Sequence, residues 1–238
     1  MADWRAGRSW TEAELETRLA ALEGLGRNFA GSHRERLADP AWEVHGSRSM
    51  LATFPPGTTP SEAFFDRGRQ ALTRYAFSDP AIVEAHFPPS APLQGRRMLL
   101  ELKVPLLRYL CGVVVGRVLD TNDDGIRTFG FRYDTLEGHV ERGSEWFLLE
   151  QDGASGVLRL RIEATWQPGD FPNWWSRVGF ALVGRRYQRK WHRRAHERMA
   201  AMVRGGTRVA SRRGRRLAHE GPRVVFTRGT QTFEEGWS

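Results

Sequence analysis

The residues best suited to chemistry lie in the stretch FGFRYDTLEGHVERGSEWFLLEQ, residues 129–151. His139, Glu141 and Glu145 stand close together there, with Tyr133 a few positions earlier. A histidine beside two carboxylates has the residue types of a general acid–base site, and a tyrosine hydroxyl can donate a hydrogen bond to a substrate. The same histidine and glutamates can instead join a neighbouring arginine in a cross-strand network that fixes the register of a hairpin. The pattern favours this structural role over catalysis, and both interpretations remain open.

The stretch itself is predicted to be a β-hairpin. Strict alternation places Phe131 and Tyr133 on one face of its first strand, and in the second strand Glu145 alternates with Trp146. Gly138 at the bend supplies the backbone freedom that a turn needs. The histidine and the carboxylates are therefore expected near one end of the hairpin.

A meander of five strands is predicted to contain this hairpin. Five runs of strand-like composition are bounded by turn residues: 97–104, 108–121, 126–136, 143–151 and 157–167. The turns at 122–125 and 152–156 are short and contain Asp and Gly, so neighbouring strands should pair antiparallel. An earlier run, 42–54, is predicted to be a further strand.

A long helix is predicted to cover the sheet. Between residues 173 and 203, apolar residues recur at the steps of three and four that define one helical face: Phe180, Val183, Tyr187, Trp191, Ala195, Met199 and Met202. Two shorter helices are predicted, one beginning after the capping box of Thr11 and Glu14 and followed by a polar connector, the other beginning at 59–62. The expected fold is α+β, a curved antiparallel sheet closed over a long C-terminal helix.

Aromatic residues cluster where the last strand of the meander leads into the long helix. This segment, WQPGDFPNWWSRVGF, contains Trp166, Trp174, Trp175 and Phe180. Packing of the junction is the favoured interpretation, and an edge that admits an apolar ligand or rests on a membrane interface is the alternative. The candidate ligand-binding residues are Phe131, Tyr133, Trp166, Trp174, Trp175 and Phe180.

Positive charge is concentrated in one region. The chain has 238 residues and a formal net charge of +8, but between 185 and 216 there are thirteen Arg or Lys residues and one acid, Glu197, so the remainder is net acidic. A solvated surface, a nucleic-acid footprint and an anchor to anionic lipid all fit such a region, and no zinc finger, RNP pair or KH loop indicates sequence-specific recognition. The candidate polyanion contacts are Arg204, Arg208, Arg212, Arg213, Arg215 and Arg216. The Gly- and Arg-rich tail from 204 onward is expected to be flexible, with RVVFTRGTQTF either a late strand or extended chain.

Metal and cofactor sites are not predicted. His192 and His196 have the spacing of two zinc ligands, but the glutamate of the H-E-x-x-H motif is absent and two arginines lie between them, so a basic, solvated helix face is favoured. No nucleophile motif or phosphate-binding loop occurs. Cys111 lies in an apolar strand and is expected to be buried and inert.

A cytoplasmic protein is expected, with peripheral contact at a membrane as an alternative. Cys111 is the only cysteine, which excludes a disulfide framework, and the first residues do not resemble a secretory signal. The most apolar window, 98–119, contains four charged residues, so no transmembrane segment is predicted.

Three stretches resemble a family of uncharacterised bacterial and plant proteins, a domain of unknown function in the START-like (SRPBCC) helix-grip superfamily. They are the opening stretch, GVVVGRVLDT and PNWWSRVGFALVGRRYQRKWHRRAHERM, and the resemblance covers roughly residues 45 to 203. The family pattern Gly-Phe-x-Tyr-Gly-Thr-Leu-x-Gly-His-x-Glu-x-Gly-Glu-Glu is matched at Gly130, Phe131, Tyr133, Thr135, Leu136, Gly138, His139, Glu141, Gly143 and Glu145. The chain departs from it at Asp134 and Ser144.

The resemblance implies a helix-grip domain at 43–203, with an N-terminal helical extension at 1–42 and a basic tail at 204–238. Domains of that superfamily typically enclose an elongated apolar cavity, and its members bind lipids, sterols, polyketides or hormones, while some are cyclases or oxygenase subunits. The expected function is the binding of a hydrophobic small molecule or lipid between sheet and helix. The alternatives are a cyclase- or hydratase-like enzyme that uses His139, Glu141, Glu145 and Tyr133, and a polyanion-binding protein.

Overall fold

The computed structural model describes residues 3–55, 62–104, 106–205 and 221–228. In these ranges the strands are β1 (Asp3–Ala6), β2 (Glu43–Thr53), β3 (Val83–His86), β4 (Arg97–Val104), β5 (Leu107–Asp123), β6 (Ile126–Thr135), β7 (Glu141–Asp152), β8 (Val157–Pro168) and β9 (Val225–Arg228). The helices are α1 (Glu12–Ala21), α2 (His33–Ala38), α3 (Glu62–Thr73) and α4 (Trp174–Val203). None of the described helices combines the length and apolar character needed to cross a bilayer.

All nine described strands belong to one antiparallel sheet, in the order β3-β4-β5-β6-β7-β8-β2-β9, with β1 pairing along β5. The five strands of the predicted meander are confirmed to within two residues at each end. In the hairpin of β6 and β7, Phe131 pairs with Phe147 and Tyr133 pairs with Glu145, so alternation placed these side chains correctly. Gly138 has a φ of 81°, which confirms its role at the bend.

Helix α4 closes the inner face of the sheet, as the helix-grip expectation requires. It begins at Asn173, whose side chain accepts a hydrogen bond from the Ser176 backbone N–H at 2.8 Å. Its apolar stripe buries Trp191, Ala195 and Met199 against the sheet and α3. The predicted α+β fold, a curved antiparallel sheet wrapped around a long C-terminal helix, is confirmed.

The N-terminal segment packs against this sheet. Strand β1 adds to the sheet, and Trp10 and Leu22 pack on its outer face against Leu99 and Leu110. The segment described as a polar connector contains the short helix α2, which Ser32 caps. The apolar side chains of α1 need a surface to cover, and the outer face of β4 and β5 supplies it.

The basic tail is described only in part. Residues 206–220 and 229–238, for which a flexible tail was expected, lie outside the described residues. Val225–Arg228 form β9, which pairs with His45–Arg48 of β2. The late strand, one of two options for this segment, is the one observed.

Candidate functional site

A cavity of about 410 Å³ lies between the inner face of the sheet and the first half of α4. Most of its lining is apolar, and the apolar side chains are Ile82, Val83, Leu100, Leu102, Val104, Leu107, Val140, Phe171, Trp175, Phe180 and Trp191. Pockets of this size and character hold small molecules in many proteins.

Two glycines of α4 leave this space open. Gly179 and Gly184 both line the cavity, and a Cβ atom placed on Gly179 would have no neighbour within 4 Å. In the second half of the helix, Ala195 and Met199 pack in the core. The cavity therefore lies along the half of α4 that carries the two glycines.

The mouth of the cavity is bordered by exposed apolar side chains. Trp175 lines the cavity and is 37% exposed, and its ring contacts that of Trp4 at 5.1 Å. Trp174, Val178 and Leu106 are 76%, 49% and 85% exposed. We call Trp4, Leu106, Trp174, Trp175 and Val178 the mouth patch. Water contact with this much apolar surface is unfavourable, so such patches mark sites of interaction.

Tyr133 and Glu145 form the polar end of the cavity. The Tyr133 hydroxyl donates to Oε2 of Glu145 at 2.5 Å, and both side chains line the cavity. The pKa of Glu145 is raised to about 8: burial is the main cause, the hydrogen bond from Tyr133 opposes it, and the nearby Glu141 adds to it. At neutral pH Glu145 is therefore mostly a carboxylic acid, which can donate a proton or a hydrogen bond.

His139 and Glu141 lie at the same end. The Nδ1 atom of His139 accepts the Glu141 backbone N–H at 2.9 Å, and burial lowers the pKa of the ring to about 4, so it is neutral. Burial raises the pKa of Glu141 to about 7. Arg142 is directed away and pairs with Asp170 at 2.8 Å. The register-fixing network suggested for these residues therefore does not include Arg142. The four candidates for acid–base chemistry all line the one cavity: Tyr133, His139, Glu141 and Glu145.

His192 and His196 are buried, so the interpretation of these two positions as a solvated face was wrong. They are 1% and 0% exposed, because both project from α4 towards two serines on the inner face of β2. Ser49 Oγ contacts His196 Nδ1 at 2.8 Å, His196 Nε2 contacts Ser47 Oγ at 2.8 Å, and Ser47 Oγ contacts His192 Nδ1 at 2.6 Å. Burial lowers the pKa of both rings, to about 4 for His196.

This serine–histidine chain ends at the cavity. Nε2 of His192 faces Oε1 of Glu145 at 3.6 Å, a distance beyond a hydrogen bond but within electrostatic contact. Each serine hydroxyl and each neutral imidazole has one proton to donate. The hydrogen bonds of the chain can therefore all donate towards His192 or all donate towards Ser49. In one arrangement Nε2 of His192 carries a proton towards Glu145, and in the other it presents a lone pair. The protonation of Glu145 is thus linked to the direction of the chain.

Sequence reasoning identified neither the serines nor Tyr75, whose buried hydroxyl also lines the cavity. The available signal was alternation in β2, which places Ser47 and Ser49 on one face together with Leu51. The partners lie about 145 residues away in the chain, and no local pattern connects them.

Three of the predicted ligand-binding residues line the cavity: Tyr133, Trp175 and Phe180. Phe131 is 1% exposed and packs in the core against Phe147. Trp174 is exposed beside the mouth. Trp166 lines a separate pocket of about 100 Å³ at the edge of β2, where its ring N–H donates to His45.

The predicted polyanion contacts are mostly outside the described residues. Arg208, Arg212, Arg213, Arg215 and Arg216 lie there, and the side chain of Arg204 donates to the Leu51 carbonyl at 3.0 Å. Arg204 is thereby engaged with the end of β2.

Glu84, His86 and Glu101 are the one group of potential metal ligands found among the described residues, with ligand atoms within 4.8 Å of one another. Lys103 pairs with both glutamates, and Arg108 donates to Glu101 at 2.6 Å. These two cations neutralise the carboxylates, so the group fits an ion-pair network better than a metal site. Burial raises the pKa of the Cys111 thiol to about 12, as expected of an inert cysteine.

Comparison with known proteins identifies the family. The profile of a domain of unknown function (DUF1990) matches residues 30–198. A UPF0548 protein of Deinococcus radiodurans is 31% identical over 151 residues, which cover 58% of this chain and 73% of that protein. Among solved structures, Ara h 8.0201 has a TM-score of 0.38 and 14% sequence identity to this chain, and the match covers 69% of this chain and 99% of that one. Human STARD10 has a TM-score of 0.34 and 12% identity, and the match covers 80% of this chain and 82% of that one. On the profile and the bacterial relative, the chain belongs to the DUF1990 family.

Proposed function

We propose that this protein binds a hydrophobic small molecule or lipid in the cavity between sheet and helix. The observation that supports this most is the 410 Å³ cavity itself, which has a largely apolar lining and a few polar groups at one end. Filling such a space with an apolar ligand removes both the ligand and the exposed lining from water.

A substitution that narrows the cavity tests the proposal. In Gly179→Leu the new side chain enters open space on the helix, and replacement of a helical glycine should stabilise α4 by up to about 1 kcal/mol. We expect the neutral fluorophore N-phenyl-1-naphthylamine to bind the wild type and to bind Gly179→Leu at least about threefold more weakly. Val178→Leu, next to it but in the exposed mouth patch, is the matched control and should bind as the wild type does. Native mass spectrometry of the purified chain would show any ligand that co-purifies. No binding by the wild type, or equal binding by Gly179→Leu, would contradict the proposal.

A second candidate function is acid–base chemistry on the bound molecule, of the cyclase or hydratase kind. It is supported by the Tyr133–Glu145 pair facing the cavity, with His192 behind Glu145 at 3.6 Å. If the protein is an enzyme, the wild type should co-purify with product and Glu145→Gln should co-purify with substrate. Molecules extracted from the two proteins should then differ by mass spectrometry, by one water for a hydratase or in retention time for an isomerisation. Identical extracts would favour binding alone.

A third candidate is contact with a polyanion, either an anionic membrane or nucleic acid. The mouth patch supports the membrane version, since exposed tryptophans beside arginines are typical of membrane-interface segments, and Arg177 and Arg8 lie exposed near it. Peripheral contact there would let an apolar ligand pass between bilayer and cavity. The arginines of the tail support either partner.

A further inference from the structure

The polar end of the cavity contains hydrogen-bond donors without partners. Since Nδ1 of His139 accepts a backbone N–H, the proton of the neutral ring is on Nε2, and within the described residues that atom has no partner. The Tyr75 hydroxyl is likewise without a partner among them. The two side chains are 3% and 5% exposed, and both line the cavity. An unsatisfied buried polar group is costly, and an acceptor atom on a ligand would recover that cost.

The charges around the cavity disfavour an anionic ligand. Among the described lining residues there is no Lys or Arg, and the two acidic residues are Glu141 and Glu145. A carboxylate or phosphate group would lose its hydration and would face two carboxyl groups without a counter-charge. A neutral oxygen needs only a donor, and His139 and Tyr75 supply two.

The other hydroxyl groups of the lining are already engaged. Tyr109 exchanges a hydrogen bond with Ser176 at 2.8 Å, and the Tyr133 hydroxyl donates to Glu145. Tyr187 donates to the Lys103 carbonyl. Among the buried hydroxyl and histidine donors of the lining, the two without a partner in the described residues are therefore His139, on the loop between β6 and β7, and Tyr75, just after α3. The carboxyl of Glu145 and the amide of Gln188 also line the cavity.

We infer that the cavity takes a neutral apolar molecule whose polar end is a carbonyl or hydroxyl oxygen accepting from His139 and Tyr75, in preference to a fatty acid or phospholipid. This inference rests on the proposed function, because it names the class of ligand for that same cavity. It also assigns His139 a binding role that does not require it to transfer a proton.

Competitors that share one apolar body test the inference. N-phenyl-1-naphthylamine bound to the full-length protein at pH 7 is displaced with 2-dodecanone, 1-dodecanol, dodecanoate and dodecylammonium. We expect the ketone and the alcohol to compete at least about tenfold more strongly than dodecanoate, and dodecylammonium tests whether the two glutamates prefer a cation. In Tyr75→Phe, which removes an unpaired hydroxyl and keeps the ring, the preference for ketone over dodecanoate should fall by about two- to tenfold, the worth of one neutral hydrogen bond. Thr121→Val is the matched control and should keep the preference, since it removes a buried hydroxyl that has no partner among the described residues and lies outside the cavity lining.

The outcomes separate this inference from the proposed function. If the fluorophore does not bind the wild type, the proposed function fails and the inference fails with it. If it binds and all four competitors act within about threefold of one another, or a charged one is strongest, the cavity still binds apolar molecules and the ligand class is overturned. If the ketone preference survives unchanged in both Tyr75→Phe and His139→Gln, the assignment to these two donors is overturned.

Discussion

Glu145 makes the stability of the protein depend on pH. Burial raises its pKa from the ordinary 4.5 to about 8, so the folded protein keeps a proton that the unfolded chain releases. The stabilisation from this proton is fully present below about pH 4.5 and is lost as pH rises through about 8. The buried histidines act in the opposite sense, because their lowered pKa values make stability fall between about pH 6.5 and 4.

Glu145→Gln is therefore expected to become more stable relative to the wild type as pH rises. Between pH 5 and 8 the difference in free energy of unfolding should shift towards the variant by an amount on the order of a few kcal/mol, at about 1.4 kcal/mol per unit of pKa. Urea denaturation at several pH values measures it. Glu137→Gln, an exposed position on the same hairpin loop, is the control and should follow the wild type. If the free energies of unfolding of Glu145→Gln and the wild type change in parallel with pH, the Glu145 carboxyl is ionised in the folded protein.

The sequence correctly predicted that His139, Glu141, Glu145 and Tyr133 lie at one end of a hairpin, since strand alternation and the hairpin turn are local properties. It could not establish that this end faces a cavity, because that depends on where α4 passes over the sheet. The burial of His192 and His196 was also out of reach, since flanking arginines dominate the local pattern and the serines that bind the two rings lie in β2.

Helix α4 is joined to β2 by the serine–histidine chain, and Ser47 is its central member. In Ser47→Ala, the Nδ1 atom of His192 and the Nε2 atom of His196 lose their partner while still buried. At about 1–3 kcal/mol for each of the two unsatisfied groups, we expect a loss of roughly 2–6 kcal/mol in the free energy of unfolding. Ser90→Ala, at an exposed position, should change it by less than about 0.5 kcal/mol. Equal stability of the two variants in urea denaturation would mean that the chain does not hold the helix.

Most elements were predictable because each carries its own local pattern. The five strands of the meander have turn residues at their ends, and α4 has its apolar stripe. The elements that were missed are short: β1, α2 and β3 have 4, 6 and 4 residues. Strand β1 is stabilised by pairing with β5 and β3 by pairing with β4, and no local sequence pattern indicates either pairing. Helix α2 did leave a signal, the capping box of Ser32 and Glu35.

The uneven charge of the molecule leads to a prediction about the tail. Replacing Arg208, Arg212, Arg213, Arg215 and Arg216 by serine in the full-length chain removes five charges and keeps β9, which a truncation at 203 would delete. We expect the wild type to bind duplex DNA or anionic vesicles at about 50 mM salt and to lose most of that binding by about 200 mM, and the variant to bind more weakly with a shallower dependence on salt.

The control for the tail variant changes charge elsewhere. Arg186→Ser with Arg193→Ser removes two exposed charges from α4. If this control weakens binding as much as the tail variant does, the contact is a general effect of net charge. If no form binds at low salt, the polyanion proposal fails. Preference for vesicles over DNA would favour the membrane version.

At the level of the whole molecule, the sequence predicted the sheet and its covering helix but not how the two ends of the chain join them. The family profile begins at residue 30 and ends at 198, whereas β1 and β9, which add to the sheet, both lie outside that range. Each has only four residues, too few to form a recognisable pattern. Strand β9 pairs with β2, which would otherwise be an edge strand, and β1 pairs with residues 107–110 of β5, which precede the part of β5 that pairs with β6. Both places offer unpaired backbone groups, which a short extended segment can satisfy.

The contact between Trp4 and Trp175 has a practical consequence for handling the protein. Strand β1 brings the start of the chain to the mouth of the cavity, so a purification tag fused there would stand beside the opening that a ligand must pass. Such a tag could obstruct binding or offer its own apolar residues to the mouth patch, and an inactive fusion would say little about the native chain. The same position suits a fluorescent label intended to report the arrival of a ligand.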